Sequence, residues 1–480
     1  MNIHSAWRLS FGFLGRTPIE VEPADEQLSS DAGLLPIREL DEQLGLTADF
    51  AAALHDTRYV PSVEHSFAEM ARSRIYGILA GYADQNDHDQ LRYDPVFKLL
   101  AGRMPSGREL ASQPTLSRFE NAIDVRSLNR LRDVFLDQFL NSFDEPPRRL
   151  TFDIDTFDDP THGQQQLTFF HGYYEQYQYQ PRLITCAQND LVAMACLLYG
   201  TAHAALGAED DLEYLVARLR AKWPDVIVEL RGDSGMAVPR MYEACERLDI
   251  DYTLGLKLNA TIKARSEALL AEAVAQYEQT GQPQRLFTGF WYRAESWTRE
   301  RWVVVKAEAH AQGTNRRAVV SNRPGGPILP AATYEAYAER GESENRNKEM
   351  KCGVEADRLS DHRYMANLFR LYMHAAALNL LTRLRHRVAD PPPQVGAADV
   401  PREALAHPAR KQFFNRRRER DPLGEGHPCT WRTRLIKVAA RIKQTSRRVV
   451  VQLSGAWPFL DHYRQVSQTV LGTLPKVDTG

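Results

Sequence analysis

Leu150-Thr151-Phe152-Asp153-Ile154-Asp155 alternates apolar and polar residues as a strand does, and Val226-Ile227-Val228-Glu229-Leu230 is a second strand-like run. Each is followed by acidic punctuation: Asp158-Asp159-Pro160 after the first, Arg231-Gly232-Asp233-Ser234-Gly235 after the second. Further β-like runs at 166–173, 181–187 and 251–258, with helix-period patterns at 211–223 and 237–248, give a succession of strands and helices. That order predicts a mixed α/β sheet covered by helices. Such sheets build their sites at strand ends, where Asp155 and Asp233 lie.

The flanks differ in character. Residues 1–145 show apolar residues at helical spacing in 65–82 and 125–140 and are expected to form a helical N-terminal DNA-binding region, with a plain helical scaffold as the alternative. Pro114-Thr115-Leu116-Ser117-Arg118 offers an Arg near a helix start that can meet a phosphate. The catalytic core is placed at 146–285 and 326–390. Between its parts, 286–325 carries short β-like runs with Trp291, Trp297 and Trp302 and is expected as an inserted β-subdomain. A long helix at 361–387 is predicted to be amphipathic through Leu368, Leu371, Ala375, Leu378 and Leu381. Pro391-Pro392-Pro393 marks a linker into a C-terminal region, 391–480, expected to be helix-like at 431–445 and β-like or helical at 448–452.

Charge is unevenly spread. The chain's net −2 hides a block at 401–450 with 14 Lys and Arg against 4 acids, a net +10. Such a block is either a solvated surface or a contact for a polyanion. The 480 residues, 43% apolar and 25% charged, are globular in composition and predict several domains. No apolar run reaches the roughly 18 residues of a membrane span, and the first residues carry no leader pattern, so a cytoplasmic protein is expected. Cys186, Cys196, Cys245, Cys352 and Cys429 have neither close pairing nor zinc-ligand spacing, which fits a reducing compartment.

Carboxylates from separate elements are what a hard divalent cation requires for phosphodiester chemistry. Asp155 and Asp153 share one strand face, and Asp155 is nearer the strand end; either can also be a capping or structural acid. Asp158 and Asp159 read as turn formers and His162 as a loop histidine. Asp233 sits in a glycine-flanked turn, where an acid can equally cap the following helix. The third acid, Glu344, belongs to Tyr337-x2-Arg340-x3-Glu344-x6-Lys351, whose offsets of 0, 3, 7 and 14 fall on one helix face. A phenol, a guanidinium and an ammonium around one carboxylate suit a metal-bound phosphate and its backbone. The competing reading is a solvated face of local ion pairs among Glu342, Glu344, Arg346, Lys348 and Glu349. The three tryptophans fill a β core by default, yet an exposed indole can stack a base; Trp297, flanked by Arg293 and Arg299, is the first choice for DNA contact.

Together these segments resemble bacterial insertion-sequence DDE transposases. The residues that carry the likeness are Leu150-x-Phe152-Asp153-Ile154-Asp155, Asp158-Asp159-Pro160-Thr161-His162-Gly163-Gln164, Arg231-Gly232-Asp233-Ser234-Gly235 and the Tyr337 to Lys351 signature with Lys348. The nearest group is the one numbered thirteen-eighty, over about residues 90–450. The resemblance implies a ribonuclease-H-like core and two divalent cations, Mg²⁺ or Mn²⁺, on Asp155, Asp233 and Glu344. It also implies cut-and-paste movement of an element with terminal inverted repeats into target DNA, by a homodimer in the synaptic complex. Tyr337, Arg340, Lys348 and Lys351 would grip DNA beside the cut. Thr156-Phe157, Met236 and Asn347 depart from the family's usual residues. A catalytically inactive or domesticated protein that recognises repeat ends is the alternative, and a nuclease that cuts without joining is another. In a bacterial cell such a protein would be nucleoid-associated when bound to DNA.

Overall fold

A computed structural model describes residues 7–11, 13, 17–389 and 427–472. Short strands β1 (Leu9–Phe11), β2 (Ile19–Val21) and β3 (Leu28–Ser29) precede the helices α1 (Leu34–Leu44), α2 (Leu46–Ala52), α3 (Phe67–Ala80), α4 (His88–Leu91), α5 (Pro95–Leu100), α6 (Gln113–Asn121) and α7 (Val125–Leu140). Local chemistry sets several starts. Asp94 accepts from the backbone N–H groups of Val96 and Phe97 ahead of Pro95 at α5, and Asp124 accepts from the Ser127 N–H at α7.

The sheet region begins with β4 (Arg149–Thr156), β5 (Asp159–Pro160), β6 (Phe169–His171), β7 (Gln176–Cys186) and β8 (Val192–Tyr199). It continues through α8 (Ala208–Lys222), β9 (Ile227–Gly232), α9 (Pro239–Arg247), β10 (Asp251–Leu256), α10 (Ala260–Arg265) and α11 (Glu267–Thr280). Then come β11 (Gln284–Tyr292), β12 (Arg301–His310), β13 (Gly313–Ser321), α12 (Pro330–Ala338), α13 (Gly341–Lys348) and α14 (Tyr364–Ala389). Beyond residue 427 lie β14 (Ala440–Gln444), β15 (Val449–Leu453) and a closing helix, Leu460–Leu471.

Ten strands make one sheet in the order β11-β12-β13-β10-β9-β4-β7-β5, with β6 and β8 also paired to β7. β4, β9 and β10 run parallel; β7 is antiparallel to β4 and β13 to β10. Parallel pairing of Ile154 with Gly232 brings the C-terminal ends of β4 and β9 side by side. One core, around Phe152, Ile154, Leu230 and Leu254, lies against the sheet with α8 and α9; a second joins α1 to α7, α14 and the C-terminal segment.

Four expectations change. Residues 284–321 are β-rich, but their strands continue the central sheet through β13 on β10 instead of making a sheet of their own. β8 was not anticipated, because Val192-Ala193-Met194-Ala195-Cys196-Leu197-Leu198 is apolar on both faces and has no alternation to betray a strand. α14 is not amphipathic: it is buried nearly all round, packed between the N-terminal helices and β8. The stretch 431–445 is not one helix, since a wide helical turn ends at Ile436 and Ala440–Gln444 pairs with β15 and β3.

The C-terminal segment is part of the second core. Trp431, Leu435, Ile436, Val438, Ile442, Val466 and Val470 are all buried there. Some of its charge is also spent internally. Arg432 donates to the carbonyls of Ile78, Leu79 and Gly353, Lys437 pairs with Asp31 and Arg441 with Glu26. The linker prolines and the basic residues from Arg402 to Arg420 lie outside the described residues.

Candidate active site

Asp155 stands at the end of β4, with one carboxylate oxygen accepting from the Thr156 N–H at 2.9 Å and the other from Arg340 Nη1 at 3.1 Å. Arg340 Nη2 reaches Glu344 Oε1 at 3.4 Å, so one guanidinium bridges the two acids. Asp233 follows β9 at the neighbouring strand end. Its side chain accepts from the Gly235 N–H at 2.8 Å, while α9 starts only at Pro239 with Val238 at its N-cap, so Asp233 does not cap that helix. Burial pushes the Asp155 carboxyl up to about 6; Arg340 opposes this, and the nearby Asp233 and Glu344 charges add to it. Arg340 thus pairs with Asp155 and Glu344, and its own charge is held by Tyr337, Asp155 and Asp233 against the cost of its burial.

Asp153 has a different job. Its two oxygens accept from Arg231 Nε and Nη2, both at 2.6 Å, and the pair is buried. Arg231 also donates to the Ala336 carbonyl at 2.9 Å and lies 3.6 Å from Glu339. This buried pair fastens α12 across β4 and β9, and so sets where Tyr337 and Arg340 point. Sequence reasoning gave Arg231 no role; the signal was an arginine in a strand whose other residues, Glu229 apart, are apolar or glycine, and a charge there requires a partner.

The signature from Tyr337 to Lys351 does not form one regular helix. α12 stops at Ala338, and the Arg340 and Ser343 N–H groups bond three residues back, to Tyr337 and Arg340, a tighter winding than α. After α13 a wide turn, Glu349–Gly353, carries Lys351. Arg340 and Lys351 nonetheless each reach an acid at or just beyond the end of β4, Asp155 and Asp158. The Tyr337 hydroxyl lies against Gly255, where an added Cβ would come within 2.7 Å of it; the bare backbone of β10 is what admits the ring. Lys351 Nζ binds Asp158 at 2.6 Å, and Gln176 donates to the other Asp158 oxygen at 3.1 Å. Asp158, expected as a turn former, is thus the anchor of that lysine. Lys348 and His162 are exposed.

Trp297 requires a correction. It is 5% exposed, packed edge-on against Tyr242 and Tyr292 and lying 5.5 Å from the Arg301 guanidinium, so the ring has no face to offer a base. The exposed indole is Trp291, at 53%, against Trp302 on the adjoining strand. Beside Asp233 and Tyr337 opens a cleft of about 480 Å³ lined by Lys257, Lys263, Arg316 and Arg317. Among the described residues no group of acids, histidines or cysteines is drawn close enough to form a ready metal cage. The donor atoms that Asp155, Asp233 and Glu344 offer are nonetheless all carboxylate oxygens, the kind a hard cation takes, and Asp155 is partly desolvated.

Residues 11–395 match the family described as Transposase DDE domain group 1. The chain belongs to that family. No curated protein matches it. As a DDE transposase it is an enzyme of DNA cutting and transposition, and DDE transposases generally use divalent metal ions. No helix among the described residues of this transposase is long and apolar enough to cross a membrane.

Proposed function

We propose that this transposase is a cut-and-paste enzyme of an insertion sequence of the group numbered thirteen-eighty, cleaving at terminal inverted repeats and joining the freed ends to target DNA. The observation that carries the reading is the Arg340 guanidinium bridging Asp155 and Glu344, with Asp233 following the adjacent parallel strand. The strand succession β8-β7-β4-β9-β10, with helices between β8, β9 and β10, supports a ribonuclease-H-like core. In this reading the enzyme works on nucleoid DNA in the bacterial cytoplasm, as a homodimer when two ends are paired.

Two divalent cations, Mg²⁺ or Mn²⁺, held by Asp155, Asp233 and Glu344, would supply Lewis acidity and an activated water. The protein's own part is positional. Arg340 presents a planar guanidinium between two of the acids, suited to a phosphate whose oxygens displace its carboxylate partners. Tyr337 places a hydroxyl against β10, and Lys351, held by Asp158, adds a point charge beyond the end of β4. Lys257, Lys263 and Arg317 extend positive charge along the cleft beside Asp233, where the backbone of the cut strand would run.

The test is cleavage of a labelled end taken from the DNA flanking the gene. Asp155→Ala, Asp233→Ala and Glu344→Ala are each expected to abolish cutting in Mg²⁺ while gel-shift binding of the end survives, because affinity resides in the basic contacts. Normal cutting by any one of the three removes that residue from the metal set; a parent protein that binds the end but does not cut it in Mg²⁺ would favour the repeat-binding alternative.

A further inference from the structure

Between Phe169 and Tyr177 the β6–β7 hairpin carries Phe169, Phe170, Tyr173, Tyr174 and Tyr177, and all of them are open to solvent: Tyr173 is 84% exposed, Tyr177 57% and Phe170 50%. The rings meet at steep angles, Tyr173 with Tyr174 at 5.0 Å and Phe170 with Tyr177 at 5.6 Å. Glu175 holds the turn in the left-handed region, at φ 53°, an uncommon conformation for a residue with a side chain. An aromatic cluster of this kind on a surface marks a binding site.

Its location says for what. Gln176, which opens β7, donates to Asp158, and Asp158 holds Lys351. Tyr174 lies close enough to feel the charges of Asp158, Lys351 and Asp155. The hairpin is therefore tied to the rim of the carboxylate site, on the side away from the cationic cleft of Lys257, Lys263 and Arg317. Uncharged rings beside a lysine match a nucleic-acid strand whose bases are unpaired: rings for the base faces, the ammonium for the phosphate.

We propose that the β6–β7 hairpin is a stacking platform for unpaired bases of the DNA end at the cleavage site. This rests on the reading of the site as a DNA-cutting centre. Phosphate contacts hold the duplex, and the hairpin captures bases released when the end frays. It selects for an openable end without reading sequence.

The experiment uses the full chain, fluorescein-labelled duplex DNA with a blunt end, and the same duplex with a short run of unpaired thymines at that end. Fluorescence anisotropy gives the affinities in low salt. The parent is expected to prefer the frayed duplex, and Tyr173→Ala/Tyr177→Ala to lose that preference, weakening frayed-end binding by about tenfold while blunt-end binding and the thermal melt stay put. Tyr173→Ala alone changes a side chain that is almost wholly exposed and serves if the double variant misfolds. Tyr173→Trp is expected to keep the preference. An unchanged preference in the variants, or equal binding of both duplexes by the parent, overturns the platform. So does a variant that keeps the preference but no longer dimerises in sedimentation, which would assign the patch to a second copy of the chain. Failure of the parent to bind either duplex would instead strike at the functional reading itself.

Discussion

Asp153 and Asp155 are two positions apart on one strand, yet opposite outcomes are expected from removing them. Asp153 is paired with Arg231 in the interior, and Asp153→Ala leaves a buried guanidinium without its partner, a loss of about 3–5 kcal/mol. Denaturant melts are expected to show that loss for Asp153→Ala and no loss for Asp155→Asn, whose carboxylate is already disfavoured by burial beside Asp233 and Glu344. Equal destabilisation by both would contradict the division of labour. Arg340→Ala and Lys351→Ala are expected to slow cleavage and weaken end binding by roughly tenfold or more each, as lost phosphate contacts do; single-turnover cutting and anisotropy would show it, and unchanged rates in both would return this face to a solvated ion-pair surface. The sequence left Asp153 and Asp155 unresolved because alternation puts both on one face. Only the long-range Arg231 pairing, invisible to periodicity, separates them.

At the scale of elements, the strand-helix succession from β4 to β10 was legible because alternation and helical period were both strong there. A strand buried on both faces carries no alternation, so β8 has no sequence signal, whereas α14 is legible as a helix but, being buried all round, not as an amphipathic one. In the sequence the C-terminal segment stands out by its charge. Its apolar residues carry the packing: Trp431 fills the core beside α3, and Gly33 lies so close to the Leu435 carbonyl that an added Cβ would fall 1.8 Å from it. Trp431→Ala is expected to cost about 3–5 kcal/mol. Gly33→Ala must push two backbones apart and is expected to lower the melting temperature well beyond an ordinary surface change, measurable by circular dichroism. Truncation after Ala389 is expected to yield a chain that aggregates or melts early, so the contribution of the basic block to DNA affinity has to be measured with charge substitutions at exposed sites such as Lys443, Arg447 and Arg448.

Across the whole molecule, one buried acid joins three elements. Glu120 on α6 accepts from Arg74 of α3 and Arg370 of α14, all three buried. Burial alone would raise the Glu120 carboxyl, but Arg370 and Arg74 outweigh it and hold it below its ordinary value of 4.5. Because the folded value is the lower one, the stability this acid supplies is present above 4.5 and is lost as pH falls through the folded value. Glu120→Gln is expected to destabilise strongly at neutral pH and to flatten acid unfolding; an acid transition as steep as the parent's would show that other groups set it. This triad has no local signature, since its members lie 46 and 250 positions apart.

Gln43 on α1 donates to the carbonyl of Val470, 427 positions further along. Ribosomes add about 5–20 residues each second, so the early helices wait on the order of tens of seconds for the partners that close their core. Until then α1, α2 and α3 lack Trp431, Leu435 and Val470, and α14, which backs the catalytic sheet, leans on an unfinished neighbour. A message cut short, or a frame lost late in the gene, would yield no DNA-cutting protein even with every active-site codon already translated.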